Sequence, residues 1–532
     1  MNQAWTIFVR APLLFGAAII LAQTLPVLES RWLWFSDEVR YAEVYSNLIQ
    51  GGHWVVLNLN GEAYPDKPPL FFLLIALLDL IPGADMPGVM WLASAVSAIF
   101  LLIAMRALAD AVGMTHEGFA AGVLVQLCFI GMIILLHYVR MDLLFVAFMM
   151  AAQACFHRFY FNQEAPKYAY FGYVFSGLAI LVKGPLGLVL PLIAVWVAAL
   201  WAARARNIAT LTTVFGLLVC LLVAATWALG IIAVEGWDFF WDQIIGQQVV
   251  ARATETFHHS EPLSFYFILI PFLLLPWTGF AAALPWRRFL RWPARVWTNR
   301  KEIGPAGILA IGALAHFAFL SSLDGKVGVY LLPVLVQVAM VIGCLLATRP
   351  LPRGWVGVGL TTIVVGAGLI ALAVMPIAAA YQTGALICGG FLIVLGGLTV
   401  LWRNKGEVLL LGYTAAMTVW SLLLAGILLP GLNESTSTRI TAEYLGQYAQ
   451  QGHLPVAYRT YPGIFSYYAG RDVVQINDAT EMETLLATSR QIVIAGRQRH
   501  LAELDLTGFV LLDSREINGA GGVYQVMQGS RP

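Results

Sequence analysis

Leu211–Ala233 reads LTTVFGLLVCLLVAATWALGIIA, an apolar run without one charged residue. About 18 such residues suffice to carry an α-helix across the hydrocarbon core of a bilayer. Gly118–Leu136 has the same character, as does the shorter Leu13–Leu25. Lipid offers no water to pair backbone N–H and C=O groups, so unbroken runs of this kind are read as helices, not strands. The whole chain agrees with its decisive stretch. Over 532 residues it is 59% hydrophobic and 11% charged, where soluble domains carry roughly 25% charged residues. A net charge of +1 leaves no basic footprint for nucleic acid. Cys128, Cys155, Cys220, Cys344 and Cys388 stand singly inside apolar runs. Their spacing fits neither metal ligation nor a disulfide framework, which makes them small buried hydrophobes.

Working outward, the pattern predicts an α-helical polytopic membrane protein with thirteen spans, near 7–28, 88–108, 118–137, 142–160, 168–182, 185–203, 208–234, 264–286, 305–322, 327–347, 354–376, 383–402 and 407–430. In the first, Arg10 is followed by apolar residues to Leu28 with no small-residue cleavage pattern after them, so it is read as a retained span and not a signal peptide. Pro68–Pro82 is apolar but short for a crossing, and is expected to lie at or dip into the interface. Charge supports this layout. With the N-terminus inside, the basic cluster Arg287, Arg288, Arg291, Arg295, Arg300 and Lys301 and most other basic residues of the membrane part fall on the cytoplasmic side. Two long outer loops result, near 29–67 and 235–263. After Pro430 the composition turns polar, and short β-type runs alternate with helical stretches. Residues 1–430 are therefore expected to form the membrane module, and 431–532 a small α/β domain on the outer side. No internal repeat or low-complexity segment is visible.

The informative residues are the charges left on the outer face. Ser36-Asp37-Glu38-Val39-Arg40-Tyr41-Ala42-Glu43 opens a helical pattern that ends at Gly51-Gly52. Ser36 is a natural N-cap, and Asp37 and Glu38 in the first turn suit the helix dipole. Taken alone they read as helix-start charges. Asp66-Lys67-Pro68 sets two opposite charges at headgroup level: Lys67 suits a lipid phosphate and Asp66 a cation, unless Lys67 merely snorkels. Arg140-Met141-Asp142 and Lys183-Gly184-Pro185 sit between apolar segments, where charge is expensive and usually functional. His258-His259 could bind metal or phosphate, or be plain surface histidines. Asp324-Gly325-Lys326 precedes Tyr330 and Pro333 at an outer span end. What lifts these groups above their separate plain readings is convergence: distant segments each bring acid, base or imidazole to one side of the membrane. Lysines and arginines suit a phosphate leaving group, and carboxylates suit general-base work or metal binding.

At these residues the chain resembles the GT-C membrane glycosyltransferases, and within them the aminoarabinose (lipid A) transferase branch, related to protein O-mannosyltransferases. The matching elements run in the family's order: Asp37-Glu38-x-Arg40-Tyr41-Ala42-Glu43, Asp66-Lys67-Pro68, Arg140-x-Asp142, Lys183-Gly184-Pro185, His258-His259-x-x-Pro262 and Gly325-Lys326-x-x-x-Tyr330-x-x-Pro333. The resemblance implies a bacterial inner-membrane enzyme with its site facing the periplasm. It would take a polyprenyl (undecaprenyl) phosphate sugar as donor and lipid A or another envelope lipid or glycan as acceptor. By the same resemblance Asp37 is the main catalytic carboxylate and Asp142 a second acidic site residue. Arg40, Lys67, Lys183, Lys326, Tyr330 and His258 would hold the donor phosphate. Asp66 and His259 would bind a divalent metal, zinc or magnesium or manganese. That branch usually has Glu where this chain has Asp66. A single displacement at the anomeric carbon, with inversion, is the expected chemistry.

Two rivals differ in what they require. A protein O-mannosyltransferase would accept on a Ser or Thr hydroxyl and need Asp37 as a true base. A lipid-linked sugar transporter or flippase would favour repeated halves and charges near the midplane, and this chain has neither feature in its sequence.

Overall fold

The computed structural model describes residues 3–251, 261–284, 300–375, 380–488 and 490–530. Helix dominates, as lipid requires. Among the described residues nine helices are long and apolar enough to cross a bilayer, and eleven if each of two bent pairs counts as one span. The remaining two expected spans are also helical, Lys167–Lys183 and Leu186–Trp201, but at 17 and 16 residues they are short for a crossing. A count of thirteen is therefore not established. Leu70–Asp79 is a 10-residue apolar helix, too short to span.

Three expected spans are interrupted. The first breaks at Ala11, between Gln3–Arg10 and Pro12–Thr24, where Pro12 opens the second piece. His116–Leu127 and Ile130–His137 meet at 62°, and Phe265–Leu273 and Trp277–Ala283 at 94°. The last break falls at Pro276, which has no N–H to continue a helix.

The chain forms two compact units. One comprises Met1–Pro26, Asp66–Phe71 and Trp91–Leu424. In it Asp142–Phe156 packs on Lys167–Lys183 and Leu186–Trp201, and Leu332–Thr348 packs on His116–Leu127 and Pro305–Ser322. Phe156, Tyr160 and Tyr173 centre an aromatic cluster against Trp196. The other unit comprises Val27–Pro65, Phe72–Met90 and Ala425–Pro532, so the first outer loop belongs with the C-terminal domain. Its main sheet has the order β4-β3-β5-β7-β6, with β3 Leu454–Tyr458, β4 Val474–Ile476, β5 Ile492–Arg497, β6 Val510–Ile517 and β7 Gly522–Gly529. β3 pairs in parallel with β4 and β5, whereas β7 is antiparallel to β5 and β6. Val456, Tyr458, Ile492 and Ile494 form one apolar face against Met482 and Leu486 of the Ala479–Leu486 helix. Asp478 caps that helix, accepting from the Glu481 N–H at 3.0 Å. A small hairpin, β1 Asn58–Leu59 and β2 Glu62–Ala63, tips the first loop. Its Asn60 is stitched to the domain by donating to the Val473 carbonyl at 2.8 Å and accepting from the Val473 N–H at 2.9 Å.

Candidate active site

Two groups of charged side chains stand out, one in each unit. In the first outer loop the Asp37–Gly51 helix begins where the sequence predicts, and Gly52 ends it in a left-handed turn at φ 72°. Ser36 occupies the N-cap position but makes no side-chain cap bond, which corrects the expectation for that residue. The helix start is held another way. Glu38 is fully buried and accepts the Trp34 N–H at 2.8 Å while pairing with buried Arg31. The Arg31 guanidinium lies 3.9 Å from the Trp34 ring centroid. Asn433 Oδ1 accepts from the Trp32 N–H and the Trp34 indole, both at 3.1 Å, and the Phe35 N–H donates to the Thr436 carbonyl at 2.9 Å. A buried ion pair and three fixed aromatic residues thus place Asp37, half-buried, in the first helical turn. Arg40, one turn on, has its guanidinium 5.2 Å from the Tyr64 ring. Arg31 was not singled out in the sequence: nothing local marks it, because its partner lies across a turn of chain.

The second group sits at helix ends in the other unit. Asp142 starts the Asp142–Phe156 helix and is 2% exposed. Arg140 Nε donates to its Oδ2 at 3.0 Å, and Lys183 at the end of the Lys167–Lys183 helix pairs with its Oδ1. The Lys183 ammonium also lies 4.4 Å from the Tyr330 ring centroid. Asp142, Arg140, Lys183 and Tyr330 therefore come together from three separate stretches of sequence. Lys326 is buried and donates to the Glu261 carbonyl at 2.7 Å, and the Tyr266 hydroxyl closes the same loop through the Val327 carbonyl at 3.1 Å. Asp66 and Lys67 are half-buried at the start of the segment that leads into Leu70–Asp79.

Deeper among the helices a polar chain braces these ends. Gln153 donates to Gln337 Oε1 at 3.1 Å, Gln337 to His316 Nδ1 at 2.8 Å, and His316 Nε2 to the Leu190 carbonyl at 2.9 Å. All three side chains are buried, and the chain joins the helices that follow Asp142, Lys183 and Tyr330.

His258 and His259 lie outside the described residues. Among the described residues no group of three or more His, Cys, Asp or Glu could hold a metal ion. Asp66 therefore has no three-ligand donor set among the described residues.

A family model described as dolichyl-phosphate-mannose-protein mannosyltransferase matches residues 66–229. The chain is 30% identical over 334 residues to an undecaprenyl phosphate-alpha-4-amino-4-deoxy-L-arabinose arabinosyl transferase of Pseudomonas aeruginosa, covering 60% of this chain and 57% of the relative. A relative of the same description from Pseudomonas fluorescens is 27% identical over 356 residues, covering 66% and 61%. The chain thus spans about three-fifths of the length of these curated relatives. In structure it matches ArnT from Cupriavidus metallidurans bound to undecaprenyl phosphate, with a TM-score of 0.74 at 19% identity over 99% of this chain and 98% of that one. The chain is a mostly helical polytopic membrane protein that resembles the aminoarabinose arabinosyl transferases in sequence and shares the fold of that ArnT.

Proposed function

We propose that this protein is an inner-membrane glycosyltransferase that moves a sugar from an undecaprenyl-phosphate donor to lipid A, or another envelope glycolipid, on the periplasmic side. The observation that supports it best is the group around Asp142: two cations, Arg140 and Lys183, with Tyr330 beside the lysine, all at helix ends. Fixed cations gathered at helix ends are the donor set that phosphate oxygens accept from. An undecaprenyl phosphate gains negative charge as its bond to the sugar breaks, and fixed cations lower the barrier where charge grows. Lys183 and Tyr330, with Lys67, Lys326, Arg40 and His258, are assigned to that phosphate.

In the step itself an acceptor oxygen attacks the anomeric carbon, the C–O bond to the lipid phosphate breaks, and undecaprenyl phosphate leaves with the bonding electrons. One displacement inverts the anomeric centre. Asp37 is assigned to the nucleophile. An acceptor phosphate monoester, with a second pKa near ~6, needs little help in losing its proton, so Asp37 chiefly orients it. A Ser or Thr hydroxyl would instead need Asp37 as base, and the mannosyltransferase family match favours that second reading.

Mass spectrometry of envelope lipids and glycoproteins separates them, using cells that carry wild type or Asp37→Asn at matched protein levels. We expect one glycosylated lipid to fall by at least ~100-fold, within the range for loss of a positioned acid or base, while its polyprenyl-phosphate sugar accumulates. Loss of a glycoprotein sugar instead would establish the second reading. Unchanged glycans would sink both. A product that retains the donor's anomeric configuration would exclude the single displacement.

A further inference from the structure

We propose that the carboxyl edge of the C-terminal sheet is a phosphate-binding site, which receives a phosphate group of the acceptor glycolipid through Arg497, Arg499 and His500. This rests on the transferase reading above. In open α/β sheets, ligands lie beyond the carboxyl ends of the parallel strands. β3 and β5 are adjacent and parallel here, ending at Tyr458 and Arg497. Arg459 follows the first strand, and Arg499 and His500 follow the second.

The cations at this edge are not equivalent. Arg459 is committed, pairing with Glu503 at 2.7 Å and donating to the Asn477 carbonyl at 3.2 Å. Among the described residues the Arg497 side chain donates to the Tyr524 hydroxyl at 3.4 Å, and that of Arg499 to His500 Nε2 at 3.2 Å. Among the described residues neither guanidinium pairs with a carboxylate. The bond from Arg499 sets the histidine's tautomer. With Nε2 accepting, a neutral His500 carries its proton on Nδ1, and that buried nitrogen has no hydrogen-bond partner. Burial, then the charges of Arg499 and Arg497, hold the imidazole below its ordinary range, with the Glu503 charge opposing and that of Arg459 adding a little. Tyr458 is fully buried at the end of β3, its hydroxyl also without a partner and the Arg459 guanidinium 5.2 Å from its ring. Two guanidinium forks and an unused N–H are the donor set that phosphate oxygens accept from.

Position explains which phosphate. Tyr461, three residues beyond β3, packs edge-on against Phe35 with ring centroids 5.7 Å apart. Phe35 lies two residues before Asp37 in the same unit. A phosphate held at this edge is therefore on the side of the carboxylate assigned to the acceptor.

The test uses the full chain in detergent and measures binding of bis-phosphorylated lipid A and of its dephosphorylated form. Wild type should prefer the phosphorylated lipid by at least ~10-fold, the scale of one charge-assisted hydrogen bond. Arg499→Ala changes an exposed side chain and should weaken that preference, and the Arg497→Ala/Arg499→Ala pair should abolish it. In turnover the acceptor KM should rise with the donor KM unchanged. A preference retained in both variants overturns the proposal, even if the chain transfers sugar. A preference that the variants lose, in a protein that transfers no sugar, supports the phosphate site and removes the transferase reading instead. Equal binding of both lipids, with inorganic phosphate bound at the same arginines, overturns the acceptor assignment in favour of free phosphate.

Discussion

Glu43 lies on the same helix as Asp37 and is 5% exposed, and among the described residues it makes no ion pair. Burial pushes its carboxyl up to about 7, the nearby Asp472 charge adds to the rise, and the hydrogen bond from Asn47 Nδ2 at 3.0 Å opposes it. The Tyr467 hydroxyl is raised chiefly by burial, with the Arg439 charge opposing and the Glu43 charge adding. The folded state thus holds this proton more tightly than the unfolded chain. Its contribution to stability is complete below the unfolded value near 4.5 and is lost as pH rises through about 7. Glu43→Gln copies the protonated form. It should unfold with wild type at pH 5 and resist unfolding better at pH 8, by on the order of 1–3 kcal/mol. Thermal melts of both proteins at the two pH values decide this, and parallel pH profiles would show that Glu43 is not the titrating group. Residues of this kind mark how far the sequence can be read. Asp142 and Lys183 were legible because a charge between apolar runs has few bland explanations. Glu43 was legible only as part of a motif, since its burial depends on Asn47, Asp472 and the C-terminal domain, hundreds of residues apart in the last two cases. Arg31 was missed for the same reason, its role resting on a fold of chain that brings Glu38 back to it.

At the scale of elements, apolar runs located the helices but not their interruptions. The break at Cys128–Phe129 has no proline or polar residue to announce it. Its freed Ile130 N–H donates to the Leu275 carbonyl at 2.8 Å, so one broken helix satisfies the other. Such a partnership is non-local, and composition cannot display it. The glycine pattern in Pro352–Ala373 and Gln382–Leu401 was equally silent until the two helices were seen to pack together. A Cβ at Gly366 would lie 2.5 Å from the Gly389 carbonyl oxygen, and one at Gly389 would lie 2.7 Å from that of Gly366. Small residues that let backbones approach are a main source of helix association in lipid, where apolar burial adds little. Gly389→Leu should therefore separate this pair and lower the unfolding temperature in detergent, with a cost of about 1–3 kcal/mol as for other overpacked sites. Wild-type stability in that variant would mean that the close approach contributes nothing.

For the whole molecule, the open question of span number matters less than its parity. Among the described residues nine helices are of spanning length, the two bent pairs raise the count to eleven, and the short neighbours Lys167–Lys183 and Leu186–Trp201 together would make thirteen. Those neighbours are joined only by Gly184-Pro185, so treating them as a pair that crosses out and back leaves parity unchanged. Treating the two bent pairs alike, as crossings or as re-entrant, leaves it unchanged as well. Each count is odd, and each puts the chain's ends on opposite sides of the membrane. The basic cluster at 287–301, read from sequence alone, then fixes the sense, because positive loops stay in the cytoplasm. Alkaline phosphatase fused after Pro532 should be active and a fluorescent protein fused there dark, with the opposite result for fusions within residues 287–301. A fluorescent C-terminal fusion would put the domain in the cytoplasm. The carboxyl edge of its sheet would then face no periplasmic acceptor, and Asp37, packed in the same unit, would have to serve chemistry on the cytoplasmic side.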